Sequence, residues 1–191
     1  MMPFTMFARL FRRFKPDPTA KWPVAPRWRP VMNWQTHAIG PMNFGALFHE
    51  AEQLGRPDLY ESDDADPDYV TITYSLPGVL FGFENQQLEY MAFFFGPDPY
   101  LPKAPCLTFC RLEFGGGPFA GIMLTYQTTE TFVSEALGKP MLRDVDDDET
   151  ILFYRFGKDT FEFEFKPDGA LKRLNVYPTD PAAGEVRSSK R

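Results

Sequence analysis

Apolar positions recur along this chain in two rhythms, one of helical and one of strand period, and the same succession is written twice. Asn43 precedes Phe44, Leu47, Phe48, Ala51 and Leu54, a spacing that predicts an amphipathic helix capped by Asn43. Gly55 is expected to close it with a left-handed C-terminal cap, and Pro57 forbids continuation. Further on, Thr128 or Thr129 caps a second predicted helix with Phe132, Val133, Ala136 and Leu137 as its apolar positions. Leu137-Gly138-Lys139-Pro140 then repeats Leu54-Gly55-Arg56-Pro57 at an offset of 83.

Each helix pattern leads into an acidic loop and then into strand alternation. Val70, Ile72 and Tyr74 alternate with Thr71 and Thr73, and Ile151 to Tyr154 takes the equivalent place. Phe161-Glu162-Phe163-Glu164-Phe165 predicts three rings on a buried face and two carboxylates on a wet one. A turn at Lys166 to Gly169 and a strand from Leu171 to Tyr177 close the hairpin, with Lys172 and Arg173 expected opposite the glutamates.

The repeat aligns with two gaps. Tyr74 matches Tyr154, Phe81 matches Phe161, Phe83 matches Phe163 and Glu84 matches Glu164, all at an offset of 80. The offset returns to 83 for Leu88 and Leu171, Met91 and Leu174, and Phe93 and Val176. The expected fold is therefore α+β: two pseudo-repeated units, each a helix on an antiparallel sheet, forming one compact body. The units span 34–97 and 122–178. A basic, Pro-rich arm (1–33) precedes them, a connector with a strand (98–121) joins them, and a loose tail (179–191) follows.

Composition narrows the class. The 191 residues are 43% hydrophobic and include 20 Phe, too apolar for disorder, and no apolar run reaches the roughly 18 residues of a membrane span. Met1 to Lys15 is basic and lacks the apolar stretch of a secretory signal, and two cysteines make no disulfide framework, so a cytoplasmic location is expected. Phe4, Phe7, Leu10, Phe11 and Phe14 fall at helical spacing among Arg9, Arg12, Arg13 and Lys15. This arm is expected to lie on the protein's own core or to fray, with membrane or partner contact as alternatives.

Charge is unevenly placed. Residues 1–33 hold seven basic residues against one acidic, while 34–178 hold ten basic against twenty-three acidic. An acidic body repels phosphate backbones and attracts basic proteins.

Candidate chemistry is sparse. Asp64, Asp66 and Asp68, and likewise Asp144, Asp146 and Asp148, occupy the first, third and fifth positions of a calcium loop. Tyr69 and Glu149 stand where that loop turns on Gly, and Ser75 and Arg155 where it needs a bidentate Glu. Cys106 and Cys110 lie about 13 Å apart on a strand, too far to bridge, and two histidines, His37 and His49, are a poor supply for zinc. Gly115 to Gly117 reads as a hairpin turn, and no serine sits in a nucleophile context. No cofactor or metal is expected.

A helix ending in Leu-Gly-x-Pro, a polar loop, an aromatic strand and a Phe-rich hairpin resembles the repeat unit of the small outer-membrane assembly lipoproteins (SmpA/OmlA). The tandem doubling is similar to the beta-lactamase-inhibitory-protein-like arrangement, found also among toxin-immunity proteins. The resemblance rests on Leu54, Gly55, Pro57, Tyr74, Phe81 and Phe83, and on Leu137, Gly138, Pro140, Tyr154, Phe161 and Phe163. It implies a fold that binds proteins across a sheet face, and it brings no catalytic residues.

The functional expectation is a non-enzymatic inhibitor or immunity protein that docks an acidic surface on a basic partner protein. Its contacts are Asp64, Asp66, Asp68 and Tyr69 in one loop, and Asp144, Asp146, Asp147, Asp148 and Glu149 in the other. Glu162 and Glu164 on the polar sheet face join them. The alternative is a small enzyme or ligand-binding domain with a pocket between the two units.

Overall fold

The computed structural model describes residues 17–62, 66–96 and 109–179. The basic arm up to Lys15, Asp64, Cys106 and the tail beyond Thr179 lie outside the described residues. A Pro-rich strap opens the chain: a 3-10 turn at Pro18–Lys21, capped by Asp17, and then β1 at Val31–Asn33. A 3-10 helix at Phe48–Leu54 leads into β2 (Leu59–Ser62), β3 (Tyr69–Tyr74), β4 (Val79–Glu84) and β5 (Gln87–Phe94). Next come β6 (Leu112–Gly115), β7 (Met123–Leu124) and the helix α1 (Glu130–Leu137). The chain then runs through β8 (Leu142–Val145), β9 (Thr150–Phe156), β10 (Asp159–Phe165) and β11 (Leu171–Pro178).

These elements overturn the α+β expectation of two helix-plus-sheet units. Strands dominate, and α1 is the one α-helix among the described residues. The helix predicted over 43–54 is a turn at Phe44 and Gly45 and a bridging residue, Leu47, followed by a 3-10 helix, because backbone groups at 45–47 are already committed to the sheet. Gly45 N–H donates to Leu88 O, Leu88 N–H donates to Ala46 O, and Leu47 bridges Gln87. Asn43 consequently caps nothing; Glu50 instead accepts from Leu47 N–H at 2.6 Å. Phe48, Ala51 and Leu54 are buried at a spacing of three, the period of a 3-10 helix. In the second unit Thr129 caps α1 as predicted, accepting from Phe132 N–H at 3.2 Å.

Two four-stranded meanders join into one eight-stranded antiparallel sheet, in the order β2-β3-β4-β5-β11-β10-β9-β8. Their last strands, β5 and β11, pair antiparallel at the centre, so a pseudo-twofold axis runs through the sheet between them. Outer pairings repeat at the expected offsets: Leu59 faces Thr73 as Leu142 faces Phe153. In β4 and β10, however, the alignment is displaced by two residues. Phe81 pairs with Ile72 and Met91, and the residue with the equivalent neighbours, Leu152 and Leu174, is Phe163 rather than Phe161. Phe83 and Phe165 correspond likewise, since each directly follows the same register shift, at which Glu89 in one unit and Lys172 in the other is the bulged residue. A shift of two preserves the buried face, so alternation is blind to it.

The inner face carries the core. Phe81, Phe83, Phe93, Phe161, Phe163 and Phe165 are all fully buried there. Over them lie the strap, the 3-10 helix, α1 and a small sheet ordered β1-β6-β7. Trp34 anchors this cover, with ring centroids 4.8 Å from Phe156, 5.6 Å from Phe114 and 5.8 Å from Phe161. His37, in the turn after β1, bonds Asp159 at 2.5 Å with both side chains buried, tying strap to β10. Each Leu-Gly-x-Pro glycine has a positive φ with an extended ψ, not the left-handed helical cap expected. Each also accepts a tyrosine hydroxyl on its carbonyl: Tyr74 to Gly55 at 2.8 Å and Tyr154 to Gly138 at 3.1 Å.

Candidate functional site

The outer face of the sheet is where the two meanders differ. In the first, the outward positions Leu80, Ala92 and Phe94 form a small apolar cluster with Tyr90 packed against it. The equivalent positions of the second are Glu162, Asn175 and Tyr177, and Gly82 is matched by Glu164. The bulge at Lys172 turns it outward beside Arg173, so two cations meet the glutamates of β10.

These side chains form one network. Arg173 donates to Glu164 Oε1 from Nε at 2.8 Å and from Nη2 at 2.6 Å. Asn175 Nδ2 donates to Glu162 Oε1 at 2.8 Å and to Glu164 Oε1 at 2.6 Å, while its own Oδ1 accepts the Tyr90 hydroxyl at 2.6 Å. The Tyr177 hydroxyl donates to Glu162 Oε2 at 2.9 Å. Lys172 Nζ donates to Glu149 and lies 3.1 Å from Glu164 Oε2, with which it forms an ion pair. Tyr69 reaches across from β3: a β-carbon on Gly82 would come within 2.6 Å of its hydroxyl and 3.1 Å of Tyr90 Cβ.

The environment drives the two carboxyls apart. Burial pushes Glu162 upward, reinforced by its neighbour Glu164 and partly offset by hydrogen bonds from Asn175 and Tyr177. Burial acts the same way on Glu164, but the charges and hydrogen bonds of Arg173 and Lys172 outweigh it and hold that carboxyl below its ordinary value. Burial raises the Tyr90 and Tyr177 hydroxyls well above the usual phenol range, so both stay protonated. The face thus offers fixed hydroxyls and carboxylates, the groups that accept or orient a cationic or amide partner.

The predicted residues fall into three places. Asp66 and Asp68 are exposed between β2 and β3, and Tyr69 is half-buried on the outer face. Asp144, Asp146, Asp147 and Asp148 are exposed on β8 and the turn after it. Asp146 Oδ1 accepts from the N–H groups of Asp148 and Glu149, both at 2.8 Å, so this turn is pinned by its own carboxylate. Glu149 is half-buried against Lys172, and Glu162 and Glu164 lie within the network rather than on a solvated face. The pseudo-twofold axis puts the two acidic loops at diagonally opposite corners of the sheet. Among the described residues, the Asp144–Glu149 corner is the one that runs directly into the network, through Glu149 and Lys172.

Sequence reasoning missed Tyr90, Asn175 and Tyr177 as members of the site. The available signal was in β11, where Arg173, Asn175 and Tyr177 are all polar at strand period. Cys110 is buried, and burial pushes its thiol up. Among the described residues no three of His, Cys, Asp and Glu gather as a metal-binding group, and no helix is long and apolar enough to cross a membrane.

No protein-family model and no curated protein matches this chain. Among solved structures it is similar to a DUF4309 family protein (YjgB) from Bacillus subtilis subsp. subtilis str. 168. The two are 12% identical over 60% of this chain and 66% of that one, with a TM-score of 0.36.

Proposed function

We propose that this chain is a protein-binding module that docks its acidic corner and the adjoining outer sheet face on a basic partner, as an inhibitor or immunity protein. The observation that carries the reading is continuity. Exposed Asp144, Asp147 and Asp148 lead through Glu149 and Lys172 into Glu164, Arg173, Asn175 and Glu162. The inner network is hydrogen-bonded and fixed, which lowers the ordering cost of binding, while the exposed aspartates supply the field that steers a basic partner. Asp66, Asp68 and Tyr69 belong to the far corner, where Tyr69 leans over Gly82 toward Tyr90 and extends the same face.

The test is affinity capture from the native cell with the wild-type chain and with a chain reversed at Asp144, Asp147 and Asp148. The captured protein is then expressed alone and together with this chain. A basic protein lost on charge reversal, and whose toxicity or activity is relieved by co-expression, supports the reading. Capture indifferent to the three reversals contradicts it.

A further inference from the structure

A second surface has the opposite character. Three adjoining cavities of about 400, 240 and 470 Å³ run in series where the strap crosses the β3–β4 turn and the segment before β6. The first two share Trp28, Leu76 and Pro77, and the second and third share Phe109 and Arg111, so together they form one trough. Its edges expose apolar side chains: Val24 is 91% exposed, Leu76 56% and Tyr126 53%. Its floor is rigid, with Trp28 edge-on to Tyr74 at 5.6 Å and the Tyr74 hydroxyl fixed on Gly55.

Charge separates this trough from the rest of the body. Arg29, Arg56 and Arg111 line it, all exposed, although basic residues are outnumbered by more than two to one across 34–178. Arg56 has only a long contact to Asp17, at 3.9 Å, and neither Arg29 nor Arg111 has an ion-pair partner among the described residues. Among the described residues the one lining carboxylate, Asp58, already accepts from Ser75 N–H at 2.6 Å. Apolar and proline-walled, formed of three cavities in series and rimmed by three guanidinium groups, the surface has the chemistry that recognises an extended acidic segment carrying apolar side chains.

We infer that the trough is a docking groove for an extended acidic, apolar-anchored peptide segment of a partner protein. It is separate from the acidic corner and does not depend on the function proposed for it. A random dodecapeptide library displayed on phage is selected against the immobilised full-length chain, and enriched peptides are measured by fluorescence anisotropy. The expected winners pair Asp or Glu with Leu, Tyr or Pro, and bind at least tenfold more weakly to the doubly reversed R29E/R111E chain and to L76S. All three changed positions are exposed, so the melting temperature of each variant should match the wild type. The inference is overturned if nothing is enriched, if neutral or basic sequences win, or if their affinity ignores both variants. Self-association of the wild type that R29E/R111E abolishes would also overturn it, since a second copy would then be the occupant.

Discussion

Gly82 and Glu164 hold equivalent positions in the two meanders, each directly before the bulge of its hairpin, and only one of them carries a side chain. The inner positions on either side are phenylalanine in both units, because burying the core makes the same demand twice. Outward positions answer to no such demand. There the first meander has Leu80, Gly82 and Ala92, and the second carries a charged network.

The bare position at Gly82 is occupied by another residue. The Tyr69 hydroxyl lies 2.6 Å from where a β-carbon would sit, so Gly82→Ala should cost about 1–3 kcal/mol through overpacking. Tyr69→Phe removes the nearest atom, and the double variant should recover part of that loss. Urea denaturation of the four proteins in the cycle measures the coupling. Simple additivity would show that Tyr69 does not lie over the glycine.

The two glutamates should respond to pH in opposite senses. Glu164 is held below its ordinary value, so its stabilisation is present above the unfolded-state pKa and fades as pH falls through the lower folded one. Glu164→Gln removes the buried carboxylate that meets both Arg173 and Lys172, and should cost about 3 kcal/mol at neutral pH, less in acid. Glu162 is raised, so its contribution is present below the unfolded pKa and is lost as pH rises through the folded one. Glu162→Gln should therefore stabilise at neutral pH and lose that advantage in acid. Melting curves from pH 3 to pH 8 decide both signs.

Gly55 and Gly138 have matching backbones and different neighbours. Gly55 has φ +84° and ψ −176°, and Gly138 has φ +79° and ψ −158°, a region almost reserved for glycine. A β-carbon on Gly138 meets nothing within 4 Å, whereas on Gly55 it would lie 2.3 Å from the Cα of Ala25 in the strap. Gly138→Ala should cost about 1–3 kcal/mol for conformation alone. Gly55→Ala should cost more and loosen the strap, read as faster proteolysis around Ala25. Equal losses would mean that the strap does not pack as described.

Much of the fold follows from alternation. Val70, Ile72 and Tyr74, and the rings of β10, face inward because a strand with one buried side allows nothing else. The same regularity hides register: Phe81 matches Phe161 or Phe163 equally well until the partner strands choose. Helical spacing over 43–54 misleads because a spacing of three suits α and 3-10 geometry alike, and only the ladder to β5 limits where the helix starts. Glu162 and Glu164 read as solvated because the closing groups arrive from β11, after a bulge that no local pattern marks. His37 and Asp159 are 122 residues apart and carry no shared signal.

The central claim is that the Asp144–Glu149 corner steers and holds a basic partner. Its most direct measurement is the association rate of the captured partner by stopped flow, for the wild type and for the variant reversed at Asp144, Asp147 and Asp148, across a series of salt concentrations. Asp146, which pins the turn, is left in place. The account predicts association slowed by about tenfold or more at low salt, with a flattened salt dependence. An on-rate and salt slope equal to those of the wild type would contradict it.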